Sequence, residues 1–479
     1  MEKIYEYFEK KTSNYLNSKN KEYRKTFSQF FTPKDIAKIM VKDISFYNGV
    51  TEIKILEPSA GTGILILAVI EKILLEFKNI KKVYIEAIEL DKELYKILEE
   101  NMKYLKMNTL NKIEMNILLL NENFIELYGE VWETNDKNLF SYLNTKKEIT
   151  KFDLIISNPP FKKINKNDKE NKYFNDLILG QPNIYHLFIA LSLKLLVPSG
   201  KYILISPKNY LGGKYTENLR KFIFNNFSLE SIHLFNERNK AFGSEVLQEI
   251  CIAYFINEKK DKIEISYNGK KDDSFIVNTK DIFLKNSNAL IFPKNEIELK
   301  YKKKLTKGYK TLLEQGLEFK IGQIVQFRID KEDKKIQAFS EGEVPLLLVQ
   351  HITKNNINYF PLTGNKGKGK IISLNFNEKT KRKLIKNENY VILRKNVDFE
   401  SENFIQAAVY KKNTLKTEYL GIDNNLAYIT SADGNLSLEK AKKICSFLNS
   451  RLFKNYYKMF NNSHTINSYE INNMLFPIF

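Results

Sequence analysis

At 479 residues the chain exceeds a single ordinary core of roughly 100–200 residues, so two or three domains are expected. Hydrophobic residues make up 43% and aromatics 13%, which excludes the signature of disorder, and no apolar run approaches the ~18 residues of a membrane span. A net charge of +19 favours a polyanionic partner, but AT-rich coding accounts equally well for a composition rich in Lys, Asn and Ile, so the motifs must decide.

In chain order, MEKIYEYFEKKTSNYL at the amino terminus has the pattern of an amphipathic helix charged throughout. It lacks the basic stub, apolar stretch and cleavage site of a secretion signal, so a cytoplasmic protein is expected. From about Ile53 to Phe255 short apolar runs alternate with helical patterns: KILEPS then ILILAVIEKILLEF, VYIEAIEL then KELYKILEENMKYL, FDLIIS then YHLFIALSLKLL, KYILIS then NLRKFIFNNF. That rhythm predicts an α/β domain on a mostly parallel sheet, with a site at the carboxyl ends of the strands. After Phe255 the runs shorten (FKIGQIVQFRI, VPLLLVQHI, NYVILRK) and Lys-rich segments punctuate them, until LSLEKAKKICSFLNSRLFKNYYKMF reads as helical again. The expectation is a catalytic domain over 1–260 and a mixed α+β domain over 261–479. Cys251, Cys445 and the four His at 186, 233, 351 and 464 show no spacing suited to zinc or to disulfides, so no metal is expected.

Two stretches carry chemistry. Glu57-Pro58-Ser59-Ala60-Gly61-Thr62-Gly63 follows a predicted strand and opens a helix, so its glycines can make a tight turn that a ligand approaches closely; the lysine of a phosphate loop is absent. Taken alone, a structural turn reads as well. The next strand ends in Glu89-Leu90, where the Glu89 carboxylate can accept hydrogen bonds from both hydroxyls of a ribose. Further on, Phe152–Ser157 runs directly into Asn158-Pro159-Pro160-Phe161. Two prolines and an aromatic fix the backbone after a strand. An exocyclic amine conjugated with a ring is a poor nucleophile; the Asn158 side-chain oxygen and the Pro159 carbonyl can accept both its hydrogens and aim its lone pair at a methyl donor, while Phe161 stacks on the base. A duplex hides that amine, so the base must be flipped out. Neither cysteine sits in a catalytic turn, which disfavours methylation at cytosine C5.

With these motifs the chain resembles the gamma-class (TaqI-like) DNA adenine-N6 methyltransferases of restriction-modification type. Phe27-Ser28-Gln29-Phe30-Phe31-Thr32-Pro33 is similar to the family's amino-terminal cofactor segment, EPSAGTG to its glycine motif, IEL to its ribose motif and NPPF to its catalytic motif. The resemblance implies a Rossmann-like S-adenosylmethionine (SAM) domain followed by a target-recognition domain that clamps double-stranded DNA in a basic cleft. It implies a monomeric, nucleoid-associated bacterial enzyme, for which a separately encoded restriction endonuclease is an open partner. Phe31, Thr32 and Pro33 would meet the methionine end of SAM, and Asn158 and Pro160 would also contact the cofactor. Asn123 and Phe124 would flank its adenine; the family often has Asp where Asn123 stands. Phe242 would stack on the flipped base opposite Phe161, and Tyr185 and Phe188 read as pocket wall or helix core. RNA guanine-N2 and protein glutamine methylation use similar motifs and remain alternatives, as does a non-catalytic DNA-binding module on a SAM fold.

Overall fold

The computed structural model describes residues 1–19, 31–133, 150–165, 168–169, 172, 174, 176–235, 250–267, 270–284, 288–360, 370–397, 401, 404–460 and 465–479. Two compact units divide the chain, Met1–Phe283 and Leu284–Phe479.

The first unit is built on a sheet of nine described strands: β1 (Glu52–Glu57), β2 (Lys82–Ile88), β3 (Glu114–Leu120), β4 (Phe152–Ser157), β5 (Leu196–Pro207), β6 (Ser228–Leu234), β7 (Ile250–Ile256), β8 (Lys262–Tyr267) and β9 (Lys270–Asn278). Their order is β3-β2-β1-β4-β5-β7-β6-β8-β9. β1 to β5 are mutually parallel, and β7 enters antiparallel between β5 and β6. This is a doubly wound α/β sheet, mostly parallel on the side of β1 to β5, as the βα rhythm predicts. The expected boundary at 260 falls short of the observed division, because β8 pairs with β6, and β9 with β8, which carries the first sheet on to residue 278.

Helices α1 (Glu2–Ser18), α2 (Lys34–Val41), α3 (Ile64–Glu76) and α4 (Lys92–Thr109) contribute to one core with the sheet. α3 is apolar almost throughout, and Leu65 to Ile70 and Ile73 are all buried, each of the Leu, Ile and Val side chains contributing ~1.5–3 kcal/mol by leaving water. Shorter helices of the unit include α5 (Phe124–Tyr128), α6 (Ile184–Lys194) and α7 (Glu217–Asn226). Strand order reverses between β1 and β4, so their carboxyl ends, Glu57 and Ser157, open a crevice where such sheets bind ligands.

The second unit carries a four-stranded sheet (Leu317–Ile321, Leu426–Ser431, Tyr390–Arg394, Ala407–Tyr410), a five-stranded sheet of shorter strands, and the helices Leu438–Leu448 and Arg451–Phe460. Among the described residues no helix is long and apolar enough to cross a membrane.

Candidate active site

A pocket of about 450 Å³ lies at the crevice. Phe31 and Thr32 line it, together with the turn from Glu57 to Thr62, Glu89 and Leu90 beyond β2, Asn123 and Phe124 at the start of α5, and Asn158, Pro159 and Pro160 beyond β4. Residues scattered over some 130 positions thus converge because four strand ends meet there.

The turn is set by backbone. Gly61 and Gly63 adopt positive φ of 55° and 85°, and the Ala60 N–H donates to the carbonyl of Ile88 at 2.9 Å. Glu89 ties the two loops together: one carboxylate oxygen accepts from the Gly61 N–H at 2.7 Å and the other from the Asp91 N–H at 2.8 Å. Burial nonetheless raises its pKa to about 6, outweighing these hydrogen bonds. The next residue but one, Asp91, caps α4 by accepting from the N–H groups of Glu93 and Leu94.

Asn158 donates from Nδ2 to the Thr32 hydroxyl at 3.0 Å, and its own carbonyl accepts from the Ser59 hydroxyl at 3.3 Å. With Nδ2 on Thr32, the other end of the amide is an acceptor. Asn123 is the N-cap of α5, its Oδ1 accepting from the Ile125 N–H at 3.0 Å, so any ligand amine would share that oxygen. Phe124 is 2% exposed and packs against Phe188, with ring centroids 5.0 Å apart.

Three of the expected residues lie elsewhere. Pro33 is the exposed N-cap of α2. Gly63 is the N-cap of α3 and faces helix α4: a Cβ there would lie 2.6 Å from Met102 Cε and 2.9 Å from Leu98 Cδ1, so this glycine answers to packing. Phe161 is half-buried outside the pocket lining and meets Tyr185 edge-on at 5.9 Å. Phe242 falls outside the described residues. Tyr185 is fully buried core, its hydroxyl donating to Asn209 Oδ1, whereas Phe188 lines the pocket.

The sequence reading missed Ile64, Leu65, Asp91, Leu94, Glu122, Lys162 and Ile184, which also line the pocket. Asp91 and Lys162 adjoin motifs already singled out; the apolar ones carry no signal that separates them from core.

The lining suits a cationic ligand. Among the described residues it holds the carboxyl groups of Glu57, Glu89, Asp91 and Glu122 against one ammonium, that of Lys162. Glu57 is 1% exposed, and its Oε2 has no hydrogen-bond partner among the described residues. Burial pushes its pKa well above the usual carboxylate range, and the nearby Glu89 charge adds to this. A sulfonium or ammonium group would compensate that carboxyl, and a ribose would meet Glu89, so SAM fits the residues present.

Comparison with known proteins agrees with this chemistry. Residues 54–242 match the model of the Eco57I restriction-modification methylase family. The chain is 28% identical to the type II methyltransferase M.BsuBI of Bacillus subtilis, over 94% of this chain and 87% of that protein. It is 25% identical to M.PstI of Providencia stuartii, over 95% and 87% respectively. Among solved structures, the type IIL restriction-modification enzyme MmeI in complex with DNA aligns at a TM-score of 0.47 and 10% identity, covering 88% of this chain and 62% of that one, too distant to carry an argument. At the level of a restriction-modification methyltransferase, the resemblance read from the motifs stands.

Proposed function

We propose that this SAM-dependent methyltransferase of restriction-modification type transfers a methyl group to the N6 amine of an adenine flipped out of duplex DNA at a specific sequence. The observation that carries the reading is the placement of Asn158, Pro159 and Pro160 on the wall of the same pocket as Glu89 and the glycine turn. A side-chain amide and a rigid turn at the edge of a cofactor pocket suit an amine that must be oriented more than deprotonated.

When bound, SAM supplies an electrophilic methyl on a sulfonium. In this reading Glu89 holds the ribose, the Glu57 to Gly61 turn the amino-acid portion, and Phe124 with Phe188 one face of the adenine. Asn158 and the Pro159 carbonyl accept the two hydrogens of the target amine, and the Thr32 hydroxyl fixes the amide so that its oxygen accepts. Phe161 supplies a stacking face for the extruded base, which offsets an unstacking cost of a few kcal/mol. The second unit is the DNA-recognition domain.

The test is modification sequencing of DNA from a methylation-free host expressing the chain, with Asn158→Ala alongside. N6-methyladenine at one recurring motif, absent in the variant, supports the reading. Unmodified DNA from cells containing SAM-binding protein overturns it and directs the search to the amines of RNA guanine or protein glutamine.

A further inference from the structure

We propose that the turn Gln326–Arg328 in the second unit contacts duplex DNA, with the Phe327 ring against the sugars and base edges of a groove and the Arg328 guanidinium on backbone phosphate. The inference rests on the DNA reading above and names a part of residues 284–479 that carries it.

Phe327 is 80% exposed, so folding leaves an entire aromatic ring in water. The backbone beneath it is held firmly. Arg328 N–H closes the turn on the Val325 carbonyl at 2.9 Å, and Gln326 Nε2 donates to Asp423 Oδ2 at 2.8 Å. Just before the turn, Ile324 N–H donates to the Ile422 carbonyl at 3.1 Å and its own carbonyl accepts from Asn424 N–H at 2.9 Å. At Gly322 the two chains touch: a Cβ would lie 2.2 Å from the Asp423 carbonyl oxygen. The segment is bolted to residues 422–426, and a bolted turn presents its ring at little entropic cost to binding.

The surroundings select the partner. Arg328 is exposed with its guanidinium 5.6 Å from the Phe327 ring centroid. Lys331 follows it, and across the Asp330–Lys379 ion pair at 3.3 Å lie the exposed Lys381 and Arg382. Of the carboxylates interspersed there, Asp330 is engaged by Lys379 and Glu378 by Lys381 at 3.9 Å, Asp333 is buried and accepts from Asn377 Nδ2 at 2.7 Å, and Glu332 is exposed, so Arg328, Lys331 and Arg382 leave the surface with a cationic excess. A ring set where cations outnumber carboxylates, with only the partly exposed Phe376 beneath Lys381 to add to it among these described residues, is too small an apolar area for a protein partner, whose contact patches run to a few hundred Å². It matches a polyanion with apolar sugar and base edges between its phosphates.

The experiment uses the full chain as wild type, Phe327→Ala, Arg328→Ala and Phe327→Trp, with a duplex bearing the motif found by modification sequencing. SAM affinity and thermal unfolding serve as controls. We expect each alanine variant to lose roughly tenfold or more in kcat/KM for the duplex with both controls unchanged. Arg328→Ala should also lower the salt slope of binding by about one, and Phe327→Trp should change its fluorescence when duplex is added, beyond any change seen in the wild type with its single Trp132. Wild-type kcat/KM in both alanine variants overturns the assignment, as does a loss that tracks self-association instead of duplex binding. A wild type that neither binds nor methylates any duplex fails the DNA reading itself, which separates the two outcomes.

Discussion

Asn158 and Thr32 stand 126 positions apart in the chain, yet their side chains meet at 3.0 Å. This contact orients the amide with its oxygen as the acceptor, and in the proposed function the effect of that orientation belongs to the transition state. Asn158→Ala is expected to lower kcat by at least ~10²–10⁴, the scale of a lost preorganised hydrogen-bonding group, while SAM affinity stays within a few-fold; single-turnover kinetics with equilibrium SAM binding would check it. Thr32→Val should give a smaller loss of the same kind, because the amide keeps its place and loses only its tether. Glu89 gives a pH dependence. Its pKa in the folded chain is about 6, above the ordinary 4.5, because of burial. A raised carboxyl favours the folded state most when it is protonated, below 4.5; that contribution is lost as pH rises from 4.5 to 6. Cofactor binding runs the opposite way, since ribose hydroxyls donate to the ionised form. SAM affinity should rise with pH up to about 6 and level off above it, and titration calorimetry on Glu89→Gln should show this dependence flattened. An unchanged profile in the variant would remove Glu89 from that role.

The elements that carry the site were legible because each motif is local: a glycine turn after an apolar strand, or two prolines after FDLIIS, announces itself within ten residues. β3 was harder to read because much of its length is only partly buried at the end of the sheet, and its pattern is not a clean apolar run. The antiparallel insertion of β7 left no mark, since pairing direction is set by tertiary neighbours and not by periodicity. The Thr32–Asn158 contact was invisible for the same reason, although both residues were singled out separately. Gly63 shows how a motif position can be read for the wrong partner: it sits in the glycine motif, but its missing Cβ accommodates Met102 and Leu98 of α4. Gly63→Ala should therefore destabilise the chain by ~1–3 kcal/mol, combining the left-handed backbone penalty with the displaced side chains, and weaken SAM binding less than its place in the motif suggests. Urea unfolding of Gly63→Ala, Met102→Ala and the double variant would show the coupling, because removing Met102 relieves the clash; strictly additive losses would rule out the packing account.

For the whole molecule, the net charge of +19 acquires a meaning that composition alone did not give it. Among the described residues the cofactor pocket is lined by four acidic side chains and one lysine, so its lining does not account for the excess positive charge. If that charge meets phosphates, binding releases counterions, and the logarithm of affinity falls linearly with the logarithm of salt. With six to ten phosphates contacted, duplex affinity should fall by about 10³–10⁵ between 50 and 200 mM salt. SAM affinity over the same range should change little, because its partners are buried and screened weakly. Measuring both ligands on one preparation separates the explanations for the composition: a steep duplex slope beside a flat SAM response means the lysines are selected for phosphate. A flat duplex slope would leave AT-rich coding as the sufficient cause and would place sequence discrimination on uncharged contacts alone.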